Sequence, residues 1–202
     1  MATKEDILEQ IVEEYLISKG YFVRHNLKFL PTKGHRDYIA REDVNHSDID
    51  VLGFHPTKKG PDRIWAVSCK SWQSGFNAES WLTNIQQKKT VNGRPAWKHF
   101  RELCSEKWTE GFIKAVHNAT GSNQFTHVVA VAKLTGASDA REKWEQHLPF
   151  KKAIRDNKLK VISFVEMVRE MEQGLSRTLA GSEVGRLLQM FAVAGIRAAP
   201  FA

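Results

Sequence analysis

Two short segments hold residue types that can hydrolyse a phosphodiester: His46-Ser47-Asp48-Ile49-Asp50-Val51-Leu52-Gly53 and Val67-Ser68-Cys69-Lys70-Ser71-Trp72. Each reads as a strand, and Pro56-Thr57-Lys58-Lys59-Gly60-Pro61 reads as the turn between them. A turn centred near Lys59 sets Asp50 opposite Ser68 and Asp48 opposite Lys70. Opposed residues share a face, as do residues two apart, so these four side chains project to one side of the sheet. Ile49, Val51, Val67 and Cys69 project to the other. Gathering two carboxylates and a lysine in one place is costly unless they pair or bind an ion. Mg²⁺ takes one or two protein carboxylates and completes its shell with water and phosphate. Such an ion activates water and offsets charge on a pentacovalent phosphorane, and Lys70 can orient that water. The plain alternative is an ion pair on a sheet face.

The flanking pattern supplies the elements that must hold these residues. Residues 4–19 carry Ile7, Leu8, Ile11, Val12, Tyr15 and Leu16 as one helical stripe. Thr3 with Asp6 resembles a capping box at its start, and Gly20 stops it. Tyr21 to Phe29 reads as a strand, and 31–46 as polar and turn-rich. After the two central strands, Asn77 caps a helix running to about Thr90. Residues 93–120 read as an irregular helical insertion, with Trp97, Phe100, Trp108 and Phe112 among Lys98, Arg101, Lys107 and Lys114. Thr126–Leu134 reads as a buried strand, 138–156 as a helix and Lys158–Phe164 as a strand. Further helices are expected near 165–174 and 182–194. This order predicts one α/β domain with a central mixed sheet flanked by helices.

The chain has 202 residues and a net charge of +7, which favours a polyanionic partner. No run of about 18 apolar residues is present and the N-terminus lacks the apolar core of a signal peptide, so a cytoplasmic protein with no membrane partner is expected. Two cysteines, Cys69 and Cys104, build no disulfide framework and match no zinc spacing; both are expected as buried thiols. The histidines show no paired zinc spacing, and His35, His46 and His55 are expected in surface loops.

With the helix and hairpin together, the chain resembles the PD-(D/E)XK nuclease superfamily, whose core is αβββαβ. Glu9-x-x-Val12-x-x-Tyr15-Leu16-x-x-x-Gly20-Tyr21 is similar to the opening of Mrr-type restriction endonucleases and Holliday-junction-resolvase-like members. The resemblance implies a restriction-endonuclease-like fold over roughly residues 5–165. It implies a DNA endonuclease, with RNA an open alternative, using Mg²⁺ or Mn²⁺ in restriction, repair or recombination. Asp50 and the Cys69 backbone carbonyl would ligate the metal, Lys70 would position water, and Glu9 would be the helix acid. Ser68 departs from the pattern, because an acid or glutamine usually stands two residues before the lysine. Some members with serine there recruit a glutamate from the following helix, which here singles out Glu79 as replacement acid and metal ligand. Loss of that acid also fits a catalytically inactive nuclease-fold protein that binds DNA or recruits a partner.

Other residues carry weaker expectations. Glu79 at a helix N-terminus is also accounted for by the macrodipole, and Glu9 by a solvated helix edge. Lys98, Arg101, Lys107 and Lys114 are expected on the solvent side of the insertion, contacting nucleic acid, with Trp97 and Trp108 inside. The C-terminal helix that Gly181-Ser182-Glu183 opens bears Leu187, Leu188, Met190 and Phe191. It is expected to pack on the core, with a homodimer seam as the alternative.

Overall fold

The computed structural model describes residues 6–174 and 183–196, so Thr3, Gly181 and Ser182 lie outside the described residues. The helices are α1 (Ile7–Ser18), α2 (Ala78–Gln86), α3 (Arg101–Cys104), α4 (Glu106–Thr120), α5 (Ala140–Glu145), α6 (Leu148–Ala153), α7 (Phe164–Gly174) and α8 (Glu183–Val193). The strands are β1 (Phe22–Phe29), β2 (Ser47–Phe54), β3 (Ile64–Lys70), β4 (Thr90–Val91), β5 (Arg94–Pro95), β6 (Thr126–Val131) and β7 (Lys158–Ser163).

Five strands form one mixed sheet in the order β1-β2-β3-β6-β7. The first three are antiparallel neighbours, whereas β6 and β7 run parallel to β3. Helix α1 lays Leu8, Ile11, Val12, Tyr15 and Leu16 over Val51, Val67, Val128 and Ala130 on one face, together with α7 and α8. The other face is covered by α2 to α6, through a core that includes Phe76, Trp81, Phe100, Trp108, Phe112 and Trp144. The expected α/β architecture with helices on both sides is therefore present.

Local chemistry explains the boundaries that differ from expectation. The α1 cap is Asp6, whose Oδ1 accepts the Leu8 N–H at 2.9 Å. Helix α2 ends at Gln86 rather than near Thr90, because Lys88 adopts φ 51° and the chain turns into the β4–β5 hairpin. That hairpin turns at Asn92 (φ 50°) and Gly93 (φ 77°), the positive-φ pair that two-residue turns demand. The expected helix at 138–156 divides into α5 and α6, with Pro149 in the first turn of the second. In the C-terminal helix, Leu188 is buried, while Met190 is 67% exposed. It packs on α1 and α7.

The β2–β3 register matches the one read from the turn, with Val51 opposite Val67 and Phe54 opposite Ile64. The alternation of faces does not hold throughout. Ile49 packs with Leu27 and Phe29 in the core beneath α4, whereas Val51 packs beneath α1. The physical reason lies opposite Asp50, where Asn26 takes φ 52° and the β1–β2 ladder omits one pair. A left-handed residue inside a strand rotates the ribbon, so residues on either side of it face opposite ways.

Candidate functional site

The open end of the β2–β3 pair forms the floor of a cavity of about 220 Å³. Asp48 and Asp50 from β2 and Ser68 and Lys70 from β3 all line it, as do His46 and Ser47. Its roof comes from the segment after the small hairpin: Arg94, Lys98, His99, Arg101 and Glu102. Four cationic and three acidic side chains thus line one polar cavity.

Among the carboxyls of this cavity Asp50 is the one whose pKa is raised. Its Oδ2 accepts the Cys69 N–H at 2.5 Å. Burial pushes its pKa up to about 6, against the opposing pull of Lys70 and the Cys69 N–H. The same contact orients Cys69. The Lys70 carbonyl accepts the Ala132 N–H at 3.4 Å on the β6 side. Alternation along a parallel ladder therefore turns the Cys69 N–H and C=O toward β2. Cys69 is half-buried rather than buried, and desolvation, with Asp50 and Glu9, pushes its thiol well above the ordinary range. Lys70 Nζ donates to Ser68 Oγ at 2.8 Å and lies 5.7 Å from the centre of the Phe100 ring.

Glu102 is the acid that sequence reasoning passed over. It is 7% exposed, and its Oε1 lies 3.2 Å from Nε2 of the buried His127 on β6. Burial alone would raise its carboxyl, but His127 and Lys70 together hold it below the ordinary range. It is therefore a carboxylate that lines the same cavity as Asp50, whose pKa is raised to about 6. One signal was available in the sequence: Glu102 is the sole acid between Arg94 and Cys104, a stretch otherwise apolar, aromatic and basic.

The cations above the floor are held by aromatic neighbours. The Arg101 guanidinium stacks 4.5 Å from the centre of the Trp108 ring, and its Nε reaches the Lys98 carbonyl. Arg94 donates to His99 Nδ1, with Nη2 at 3.0 Å, while His99 Nε2 lies 3.1 Å from the Val91 carbonyl. That pairing fits a neutral ring with its proton on Nε2. Burial and the nearby arginines hold the His99 pKa down. The Asn92–Gly93 dipeptide was the sequence signal for the hairpin that presents Arg94.

The remaining expected site residues are not brought here. Glu79 does not line the cavity; its side chain is 55% exposed and pairs with Lys143 at 3.2 Å. Placed in the first turn of α2, it turns to Lys143 on α5 and is not brought together with Asp50 and Lys70. Glu9 is half-buried on α1, where its charge reaches the Cys69 thiol, and it lines no part of the cavity. Lys107 is a structural residue. It is buried, donates to the Asp37 carbonyl at 2.9 Å and pairs with the buried Asp43 at 2.7 Å, tying the 31–46 segment to α4. Lys114 is exposed on α4, outside the cavity. His46, expected as a bystander in a loop, lines the cavity.

The donors fit a hard divalent cation better than a soft one, since the oxygens of Asp48, Asp50 and Glu102 and the Cys69 carbonyl are all hard ligands. The three carboxylates do not converge within 4.8 Å of one another, so one or two of them would hold such an ion. Among the described residues the group that does converge is His35, Glu106 and Glu110, which lies away from this cavity. There His35 Nδ1 accepts the Asp37 N–H at 3.1 Å and Nε2 meets Glu106 at 3.3 Å. A ring in that tautomer is a hydrogen-bonded tether, with Nε2 carrying its proton rather than a free lone pair.

Compared with protein-family models, curated proteins and solved structures, the chain matches none.

Proposed function

We propose that the chain is a metal-dependent endonuclease that hydrolyses phosphodiester bonds in DNA, with the cavity at the open end of β2 and β3 as its active site. The observation that carries this reading is that Asp50, Lys70 and Glu102 line one small cavity roofed by Arg94, Lys98 and Arg101. The element order, a helix, three antiparallel strands and then parallel strands with intervening helices, supports the resemblance to the PD-(D/E)XK superfamily.

Asp50 and Glu102, with the Cys69 carbonyl, would hold Mg²⁺ or Mn²⁺, which supplies charge neutralisation and an acidified water when bound. Glu102 here takes the place that Ser68 leaves without an acid. Arg94, Lys98 and Arg101 bind the non-bridging oxygens of the scissile phosphate, Arg101 with its plane fixed by Trp108. Lys70 Nζ is free to exchange its Ser68 partner for the attacking water or the developing negative charge. Attack of that water on phosphorus breaks one P–O ester bond and leaves a phosphate monoester and a hydroxyl.

A second reading, a DNA-binding protein of the same architecture that does not cut, is favoured by the Lys70–Ser68 hydrogen bond and by the separation of the three carboxylates. Incubation with plasmid and with branched DNA in Mg²⁺ or Mn²⁺ separates the two. The nuclease reading expects cleavage by the wild type and none by Asp50→Ala or Lys70→Ala. Salt-dependent binding without cleavage by any of them establishes the binder.

A further inference from the structure

A second concave surface lies one strand away from the proposed active site. It is a groove of about 580 Å³ between β1, with the segment that follows it, and α4. Its floor is apolar, from Leu27, Phe29 and Pro31. Its rim carries Arg24, Lys28 and Lys33 on one side and Lys114 on the other, and no acidic residue lines it.

Some exposed cations of the chain are neutralised and others, such as Lys59, Lys88 and Lys133, are not. Lys19, Arg141, Lys143 and Lys158 are each paired with a carboxylate. Arg24, Lys28, Lys33 and Lys114 are exposed, and among the described residues none forms an ion pair. Like charges gathered on one rim repel, and a polyanion relieves that repulsion.

The groove and the cavity meet across one strand pair. Lys28 stands directly opposite Asp48 in the β1–β2 ladder, and Asp48 lines the active-site cavity. Opposed residues in such a pair lie about 5 Å apart between Cα atoms. Arg24 lies four residues before Lys28 on β1, with the left-handed Asn26 between them, and both line the groove. We infer that the β1–α4 groove is the track for the nucleic-acid backbone flanking the scissile bond, with Arg24, Lys28, Lys33 and Lys114 contacting successive phosphates. The inference rests on the nuclease reading for its direction, because the cavity marks where the strand enters. A nucleic acid fits better than an acidic protein, because the cationic rim adjoins the proposed phosphodiester site.

Two measurements on the full chain separate the groove from the active site. The first is binding of a fluorescent DNA duplex in Ca²⁺, as a function of salt, for the wild type and for Arg24→Glu/Lys28→Glu and Lys114→Glu. The second is Mn²⁺-dependent hydrolysis of bis(p-nitrophenyl) phosphate, a diester too short to reach the groove. The expected result is at least a tenfold fall in duplex affinity, a salt slope shallower by about one for each cation removed, and unchanged hydrolysis of the small diester. Unchanged affinity and slope in the variants, or displacement of the duplex by poly-glutamate at equal charge, overturns the track. A wild type that binds duplex through these residues yet hydrolyses neither substrate upholds the track and overturns the nuclease reading.

Discussion

Glu102 Oε1 lies 3.2 Å from His127 Nε2, and both side chains are almost wholly shielded from solvent. One comes from a short helix after the β4–β5 hairpin and the other from the central parallel strand, so this contact fixes the roof of the cavity to its sheet. His127 Nδ1 is buried with no hydrogen-bond partner, and Nε2 donates to the Glu102 carboxylate. Removing the donor strands a buried carboxylate. His127→Leu is therefore expected to lose about 3–5 kcal/mol of stability. His127→Gln, which can still donate, is expected to lose less than half as much. Urea denaturation of the two variants checks the order.

The ionisation of Asp50 sets a pH signature. Its pKa is raised to about 6 in the folded protein, so the folded state holds that proton more tightly than the unfolded chain does. Stability from this group is thus full below the unfolded value of about 4 and falls as pH rises through 6. The difference corresponds to about 3 kcal/mol once the group is fully ionised. Without metal, Asp50→Asn is expected to melt at a higher temperature than the wild type at pH 8 and at the same temperature at pH 4. Thermal melts across that range test it, and a wild type that is more stable at pH 8 would refute it.

Addition of Mg²⁺ or Mn²⁺ is expected to offset the same penalty. Proton and cation compete for Asp50, so stabilisation by the metal should weaken as pH falls below 6. Asp50→Asn should show little metal-dependent shift at any pH. Melting titrations with each cation report this directly.

Gly111 offers a test of the packing that shapes the basic groove. A Cβ at this position would sit 1.9 Å from the Leu30 carbonyl oxygen, where α4 packs against the end of β1. Alanine is favoured over glycine inside a helix by about 1 kcal/mol, yet here the clash outweighs that gain. Gly111→Ala is expected to be destabilising by at least ~2 kcal/mol. An unchanged or raised denaturation midpoint would show that α4 can move away.

Much of the site was legible because a turn fixes what lies opposite it. Once the β2–β3 turn was placed near Lys59, the meeting of Asp50, Ser68 and Lys70 followed from strand geometry. Glu102 and His127 were not legible that way, since they lie 25 residues apart on unpaired elements and meet only through tertiary packing. Glu79 and Lys107 show the converse. Each looked right by residue type, yet Glu79 turns to Lys143 and Lys107 turns inward to Asp43. The reversal of faces at Asp50 depends on the left-handed Asn26 in the neighbouring strand, which no periodicity within β2 records.

The most direct test of the central claim is the single-turnover rate of duplex cleavage in Mg²⁺ or Mn²⁺ for the wild type, Asp50→Ala, Lys70→Ala, Glu102→Gln and Glu79→Gln, with folding checked by circular dichroism. The wild type and Glu79→Gln are predicted to cut alike, and each of the other three to be slower by at least about 100-fold. Cleavage by Glu102→Gln at the wild-type rate, or its absence in Glu79→Gln, would contradict the assignment of Glu102 as the second acid.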